Sequence, residues 1–236
     1  MSNIELNITM QCNVGCMNCN RLCHLYKDRT EHMTVDQIKK FVQQAKEVKE
    51  INKIKVVGGE PLMHPNFVEV YNVLAKAADE RIFNYLKVDT NKTLKAPQVN
   101  PCSHVKWSGK HPSKKSHMPT LWSPADLGFQ TKGPCQQITK CGYSLDKYGY
   151  LPCSLAIMIV RLLGLNHLYK YEYPKGVWGL EELCPHCVFS MPHEWRVKWW
   201  TPLSKITEEE KTPTKTYAEA LKKFDVEEFY RTQKEF

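Results

Sequence analysis

The sequence predicts an α/β domain built on a parallel sheet, with a smaller cysteine-bearing segment behind it. Three observations carry this. Over the first ninety residues, alternating apolar and polar stretches take turns with stretches of helical period; that strand–helix–strand–helix–strand order implies right-handed crossovers and a parallel sheet. Five of the ten cysteines fall between positions 135 and 187, beyond that pattern. Of 236 residues, 42% are apolar, enough for a real core, yet no run of about 18 apolar residues offers a transmembrane helix.

The elements follow in order. Asn3 to Thr9 alternates Ile4, Leu6 and Ile8 with polar neighbours and reads as a strand. Asn20 to Met33 is polar and basic and reads as a loop. Thr34 is placed as an N-cap, with Gln37 as its capping-box partner. Val35, Ile38, Phe41, Val42, Ala45 and Val48 then recur at helical spacing, to about Glu50. Lys53 to Val57 is a second strand. Pro65 can open a second helix with Phe67, Val70, Val73, Leu74 and Ala77 on one face, and Phe83 to Val88 is a third strand. Lys92 to Pro101 is too short and proline-broken for a helix, and Val105 to Trp107 is a fourth strand. Gly109 to Pro134 reads as loop, and Ser144 to Pro152 as a hairpin turning at Asp146 to Gly149. Leu155 to Leu165 is an apolar helix ended by Gly164. Tyr169 to Trp200 is irregular and aromatic, Lys205 to Thr216 a polar linker, and Tyr217 to Lys234 a charged terminal helix.

Composition narrows the class. The N-terminus lacks a basic region followed by an apolar stretch, so no secretory signal is expected, and the expected compartment is the cytoplasm. In a reducing cytosol, clustered cysteines serve metals more often than disulfides. The net charge of +8 is spread along the chain and reads as a solvated basic surface. Nucleic-acid and membrane partners are therefore not expected.

Cys12, Cys16 and Cys19, spaced x3 and x2 just after the first strand, can converge on one metal centre. Thiolates suit iron–sulfur clusters and zinc alike. Three would leave one iron of a four-iron cluster open to a ligand, whereas a structural zinc site needs a fourth donor. One strand further on stands Val57-Gly58-Gly59-Glu60-Pro61, at the carboxyl end where parallel sheets place ligands. Its glycines allow close backbone approach, and its carboxylate can hold an ammonium. Thr90-Asn91 ends the third strand and Ser108 follows the fourth.

In this order, these segments resemble the radical S-adenosylmethionine (radical SAM) enzymes. The resemblance covers about residues 3 to 110. It implies a [4Fe–4S] cluster on Cys12, Cys16 and Cys19, whose open iron chelates S-adenosylmethionine. Gly58, Gly59 and Glu60 would contact the amino group of that cofactor, Asn91 would lie beside it, and Ser108 would reach its ribose. It further implies reductive cleavage of the cofactor to a 5′-deoxyadenosyl radical that takes hydrogen from a substrate, with an external one-electron donor such as flavodoxin or ferredoxin. Asn18 stands where the family usually has an aromatic ring near the adenine. The family core has six strand–helix units and this chain has room for about four. The expected fold is therefore α/β, a shortened partial (β/α) TIM-like barrel.

The second cysteine group is Cys135, Cys141, Cys153, Cys184 and Cys187. Cys184-Pro-His-Cys187 alone could bind zinc or be redox-active. A cysteine, a hairpin with Gly149, Cys153 and a later CxxC resemble the auxiliary-cluster module of the SPASM/twitch subfamily, in its short twitch form. The resemblance implies a second, auxiliary [4Fe–4S] cluster on Cys135, Cys153, Cys184 and Cys187, with Cys141 the alternative to Cys135. A four-cysteine zinc ribbon would look the same in sequence. The expected domains are 1–130 for the barrel, 131–204 for the twitch-like module and 205–236 for the linker and terminal helix.

The remaining candidates are weaker. Cys23 and Cys102 read as buried thiols. His104, His111 and His117 read as solvated loop residues, His186 as a support within the CxxC, and Trp195, Trp199 and Trp200 as packing. Arg161, in an apolar run, needs a partner or a snorkelling route and is the one candidate substrate contact or base. Two enzymatic readings follow. One is dehydrogenation of a small polar metabolite such as an amino sugar, cyclitol or nucleoside, with the auxiliary cluster accepting an electron. The other is a peptide maturase forming thioether or carbon–carbon links; a first strand at about residue 3 leaves no room for the leader-binding domain that many such enzymes carry. A zinc-bearing nucleic-acid-binding protein is the non-enzymatic alternative.

Overall fold

The computed structural model describes residues 2–16, 19–26, 31–109, 116–117, 120–131, 135–192, 201–202 and 207–236. Asn18, His111, Trp195, Trp199 and Trp200 lie outside the described residues. Strand β1 (Ser2–Asn7) leads through α1 (Val35–Val48) to β2 (Ile51–Val57), and α2 (Phe67–Asp79) leads on to β3 (Tyr85–Thr90). β4 (Val105–Gly109) follows without a helix between. β5 (Ser116–His117) pairs antiparallel with β8 (Thr201–Pro202), apart from the main sheet. After α3 (Gln136–Lys140) come β6 (Tyr143–Asp146) and β7 (Gly149–Leu151), then α4 (Ala156–Leu163) and α5 (Leu180–Leu183).

The main sheet runs β4-β3-β2-β1-β6-β7. β1 to β4 and β6 are parallel, and only β7 turns back. The sequence hairpin is therefore present, but it is not a free-standing unit: Ile4, Glu5 and Leu6 pair with Tyr143, Ser144 and Leu145. Strand order reverses at β1, which has β2 on one side and β6 on the other. In open α/β sheets, the carboxyl ends at such a reversal form a crevice. The cysteine loop leaves the sheet at that point.

Local chemistry explains the boundaries. Thr34 and Gln37 form the expected capping box, with Gln37 N–H to Thr34 Oγ1 at 3.1 Å and Thr34 N–H to Gln37 Oε1 at 2.9 Å. Lys49, left-handed at φ 55°, ends α1 just short of the expected Glu50. α2 starts at Phe67, two residues after Pro65, because Pro61–Met63 first makes a separate 3₁₀ turn. Gly164 ends α4 in the left-handed conformation, as its sequence position suggests. The terminal segment forms two helices, Lys215–Lys223 and Val226–Thr232, where one was expected. The break falls at Asp225, whose carboxylate accepts from Glu227 N–H and Glu228 N–H and so starts a new helix.

The two faces of the sheet differ sharply. Ile4, Leu6, Ile8, Ile54, Val56, Leu86 and Val88 bury one face against Ile38, Phe41 and Ala45 of α1 and Val70, Leu74 and Ala78 of α2. The other face carries Glu5, Asn7, Lys55, Lys87, Asp89 and Ser108. Parallel sheets covered by helices on both sides read as continuous apolar runs, and the alternation in β1, β2 and β3 departs from that rule. Its cause is a sheet packed on one side and polar on the other.

Arg161 joins the two halves of the chain. It is 3% exposed and lies between Glu31, at 2.7 and 3.0 Å, and Asp146, at 2.8 Å. Tyr169 donates its hydroxyl to Asp146, and the rings of Tyr26, Tyr148 and Phe229 enclose the guanidinium at 4.8 to 5.4 Å. These residues come from the loop before α1, the hairpin turn, α4 and the last helix. Breaking a buried ion network by removing one member strands the other charges. Arg161→Met should cost about 3–5 kcal/mol in urea denaturation, and replacing Arg161, Glu31 and Asp146 together by apolar residues should recover most of it. An Arg161→Met protein as stable as wild type would remove the network from the account.

Candidate functional site

The cysteine loop is held from both sides by backbone. Beyond β1, Ile8 N–H donates to Val57 O at 3.1 Å, Gly59 N–H to Thr9 O at 2.9 Å and Glu60 N–H to Gln11 O at 2.8 Å. On the other side, Met10 N–H donates to Glu31 O at 3.0 Å and Met33 N–H to Ile8 O at 2.9 Å. Residues 8 to 11 thus sit as a strand-like bridge, and Cys12 is the next residue. The two glycines make this approach possible. A Cβ on Gly58, whose φ is 149°, would stand 2.3 Å from Thr9 O, and one on Gly59 would stand 2.2 Å from Gln11 O. The sequence assigned these glycines to a ligand; their immediate neighbour is the cysteine loop itself.

Side chains add further ties. The Glu60 carboxylate is fully buried and accepts from Leu62 N–H at 3.1 Å and Asn91 N–H at 2.6 Å. Asn91 Nδ2–H donates to Asn13 Oδ1 at 2.9 Å, and Asn13 Nδ2–H donates to Thr93 Oγ1 at 2.8 Å. The Gly-Gly-Glu turn, the end of β3 and the cysteine loop therefore form one hydrogen-bonded unit. Asn13 had no sequence signal beyond lying between two cysteines.

The three thiols differ in setting. Cys16 is exposed, while Cys12 and Cys19 are half-buried. Hydrogen bonding by the Cys23 thiol, backed by the Cys23 and Arg21 amides and the Arg21 charge, lowers Cys19 to about 5, against the opposing effect of burial. Burial is the main influence raising Cys12. Cys23 is buried as expected, in an apolar cluster with Leu22 and Tyr26, and its thiol lies beside Cys19. Cys102 lies by α2, with its thiol on Asp79 Oδ1 at 3.1 Å, apart from both cysteine groups.

Across the polar face runs a chain of charges. Glu5 receives Arg21 at 2.9 Å and Lys55 at 2.7 Å; Asp89 receives Lys55 and Lys87, each at 3.0 Å. Ser108 donates its hydroxyl to Asp89. Arg21, from the cysteine loop, also donates to Asn7 Oδ1 at 2.5 Å. Sequence reasoning named Ser108 but missed the charged residues; the signal was the charge at every second position of β2 and β3, strands expected to be parallel.

In the second group, Cys135, Cys153, Cys184 and Cys187 lie near enough to influence one another's charge. Burial, then the neighbouring Cys135 and Cys184 thiols, pushes Cys153 up to about 12. Cys184 is pushed to about 11 by burial and by Cys135, and Cys187 is raised well above its ordinary value by burial and by Cys153, Cys135 and Cys184. Cys141 stands apart: burial raises it, its charged neighbours are Glu5, Lys55 and Lys53, and its thiol meets Gln137 at 3.2 Å. The Cys184–Cys187 turn is braced by Ser190 Oγ–H, which reaches Cys184 O at 2.6 Å and Cys187 O at 2.7 Å. His186 Nδ1 lies 3.1 Å from Ser123 Oγ. Among the described residues, no three His, Cys, Asp or Glu side chains close on the spacing of a single ion. Arg161, with its donors spent on Glu31, Asp146 and Tyr169, joins neither group.

Set beside known proteins, residues 6–99 match the Radical SAM superfamily, a stretch running from within β1 to the segment after β3. Relatives named as GTP 3′,8-cyclases follow. A probable GTP 3′,8-cyclase of Methanothermobacter marburgensis is 29% identical over 182 residues, covering 77% of this chain and 53% of that protein. GTP 3′,8-cyclase 1 of Mycobacterium tuberculosis is 29% identical over 102 residues, 42% of this chain and 28% of its own length. A probable GTP 3′,8-cyclase of Pyrococcus abyssi is 33% identical over 70 residues, 30% and 22% respectively. The chain thus spans between about a fifth and a half of the length of these relatives. The crystal structure of BtrN in complex with AdoMet and 2-DOIA overlaps 41% of this chain and 38% of BtrN, at 21% identity and a TM-score of 0.34. Among the described residues, no helix is long and apolar enough to cross a membrane.

His32 and His64 sit beside the loop, their rings 5.1 Å apart. His32 Nδ1 meets Thr9 Oγ1 at 2.8 Å, and His64 accepts Asn66 N–H at Nδ1, so its Nε2–H donates to Met33 O at 2.8 Å. Burial, then the neighbouring His64 and Lys147, lowers His32 from 6.5 to about 4, and burial lowers His64. The unfolded chain therefore binds more protons below pH 6.5, and stability should fall as pH drops from about 6.5 to about 4. His32→Asn should flatten that slope in apoprotein denaturation; an unaltered slope would mean that His32 titrates normally.

Proposed function

We propose that this chain is a radical SAM enzyme acting on a small polar substrate, with its first cluster on Cys12, Cys16 and Cys19. The observation that carries the proposal is the continuous backbone ladder from Gly59 and Glu60 into the cysteine loop. It makes the cofactor-binding segment and the cluster-binding segment one rigid unit. The donor set fits: three thiols on one short loop leave an open iron, and hydrogen bonding favours thiolate at Cys19. Cys135, Cys153, Cys184 and Cys187 are the set for the auxiliary cluster, supported by their mutual influence and by the separate surroundings of Cys141. In this reading the sheet is a shortened barrel over 1–130, 131–204 is the auxiliary module, and 205–236 is linker and terminal helices. β6 then belongs to the module while pairing with the barrel's first strand.

When bound, the first cluster supplies the electron that cleaves S-adenosylmethionine to methionine and a 5′-deoxyadenosyl radical, and the second is an electron acceptor. The electron donor is an external protein such as flavodoxin or ferredoxin. The chain's own residues hold and orient. Each oxygen of Glu60 already accepts one amide and keeps a lone pair for an ammonium. Asn91 fixes the cysteine loop through Asn13 while its backbone N–H holds Glu60. The Ser108 hydroxyl donates to Asp89, which leaves its oxygen free to accept from a ribose hydroxyl.

Dehydrogenation would take a hydrogen atom from a carbinol carbon, a proton from its hydroxyl and one electron, and a cluster held by Cys135, Cys153, Cys184 and Cys187 would supply the electron's destination. The names of the relatives favour a second reading, a cyclisation within a purine nucleotide that leaves its overall redox state unchanged. The two separate on product: a carbonyl two hydrogens lighter, or an isomer of equal mass.

Anaerobically reconstituted protein should hold about eight irons with matching sulfide. Cys12→Ala/Cys16→Ala/Cys19→Ala and Cys184→Ala/Cys187→Ala should each keep about half. Cys135→Ala should lose the second complement and Cys141→Ala should not. Zinc in the second site, or full iron in either multiple variant, would overturn the assignment.

A further inference from the structure

Every backbone carbonyl of the Cys184-Pro-His-Cys187 turn has a donor. Cys184 O accepts from Cys187 N–H at 3.1 Å and from Ser190 Oγ–H at 2.6 Å, and Cys187 O accepts from Ser190 N–H at 2.8 Å. Those bonds are local. The two carbonyls between the cysteines are met from elsewhere in the chain. Ser123 Oγ–H reaches Pro185 O at 3.3 Å, and the Tyr217 hydroxyl donates to His186 O.

Tyr217 is fully buried and lies in the helix Lys215–Lys223, 31 residues beyond its acceptor. Its segment is fixed to the one that brings Ser123. Ser123 N–H donates to Thr214 Oγ1 at 2.9 Å, Thr214 N–H to Leu121 O at 3.1 Å and Thr216 N–H to Asp126 Oδ2 at 2.8 Å. The two hydroxyls therefore arrive as one hydrogen-bonded clamp. Both segments lie outside the residues that match the Radical SAM superfamily.

Core packing explains the Tyr217 ring, and a buried phenol usually finds some acceptor. Neither explains why the acceptor is a carbonyl between two cysteines. A CxxC pair can share one metal centre only when both sulfurs face the same way, so the peptide planes between them must be fixed. Carbonyl oxygens are the negative ends of those planes and repel thiolate. Here they are drawn off to hydroxyls, while Phe189 N–H faces the Cys187 thiol and the Leu155 and Ala156 N–H groups face that of Cys153. Amide donors on the sulfurs and hydroxyls on the carbonyls suit a turn that carries anionic sulfur.

We propose that Tyr217 is a positioning residue for the second metal centre: its hydroxyl fixes the His186 carbonyl and, through it, the set of the Cys184 and Cys187 sulfurs. The proposal rests on reading Cys135, Cys153, Cys184 and Cys187 as metal ligands. It gives the terminal segment a part in that site.

The test is the rate of metal release to a chelator, read in two backgrounds after anaerobic reconstitution. In Cys12→Ala/Cys16→Ala/Cys19→Ala, where the second site alone is filled, Tyr217→Phe should release metal about tenfold faster and alter the electron paramagnetic resonance line shape of the reduced cluster. In Cys184→Ala/Cys187→Ala, where the first site alone is filled, Tyr217→Phe should stay within about twofold of its parent. Tyr71→Phe, whose hydroxyl likewise donates to a backbone carbonyl, Asn100 O at 3.2 Å, should match its parent in both backgrounds. Unchanged release from the second site, or equal acceleration from both sites, would overturn the proposal. Release is read on whichever metal the site holds, so zinc there would overturn the cluster assignment and leave the release ratio to decide the role of Tyr217. A second site that holds no metal at all would overturn both.

Discussion

Two backbone hydrogen bonds, from Gly59 to Thr9 and from Glu60 to Gln11, extend the β1–β2 ladder past the strands and into the loop that bears Cys12. Most of the site depends on them. They require that positions 58 and 59 carry no side chain, since any Cβ would overlap the carbonyl oxygens of the loop. They also bring Glu60 to where its second oxygen can hold Asn91, and Asn91 in turn holds Asn13 between two of the cysteines. A flexible cysteine loop thus becomes an extension of the sheet, at the reversal of strand order.

The division of the sheet into two faces is the second constraint. Helices α1 and α2 cover one side with aliphatic packing, so the other side is free to carry charge. Burying single charges there would be costly. The chain meets that cost by alternation, with Arg21, Glu5, Lys55, Asp89 and Lys87 each beside an opposite charge. The same solution recurs in Arg161, Glu31 and Asp146, where it fastens the hairpin and the last helix to the loop ahead of α1. One network lines the open face and the other is sealed from it.

What the sequence made legible were the local signals. The capping box of α1, the ends of α1 and α4, four parallel strands and the hairpin all rest on residues close in the chain, and they lie within a few residues of where they were expected. What it hid depends on distant residues. Nothing local says that Tyr143 to Leu145 adds to the first strand, that Glu31 is the partner of Arg161, or that Asn13 meets Asn91. The split of the terminal helix turned on one capping aspartate, Asp225. For the site, cysteine spacing marked the ligand candidates and left Cys135 and Cys141 as alternatives, whose surroundings differ only once the chain is folded. The polar face was visible only as alternation that a covered parallel sheet should not show.

The central claim is that the loop fixed by Gly59 and Glu60 carries a cluster open to S-adenosylmethionine. The most direct measurement is electron paramagnetic resonance of the dithionite-reduced Cys184→Ala/Cys187→Ala protein, in which the first site alone holds iron, with and without S-adenosylmethionine. The account requires a [4Fe–4S]⁺ signal whose shape changes when the cofactor is added, and loss of that signal in the same protein carrying Gly59→Val. A signal indifferent to the cofactor, or one that survives Gly59→Val intact, would contradict it.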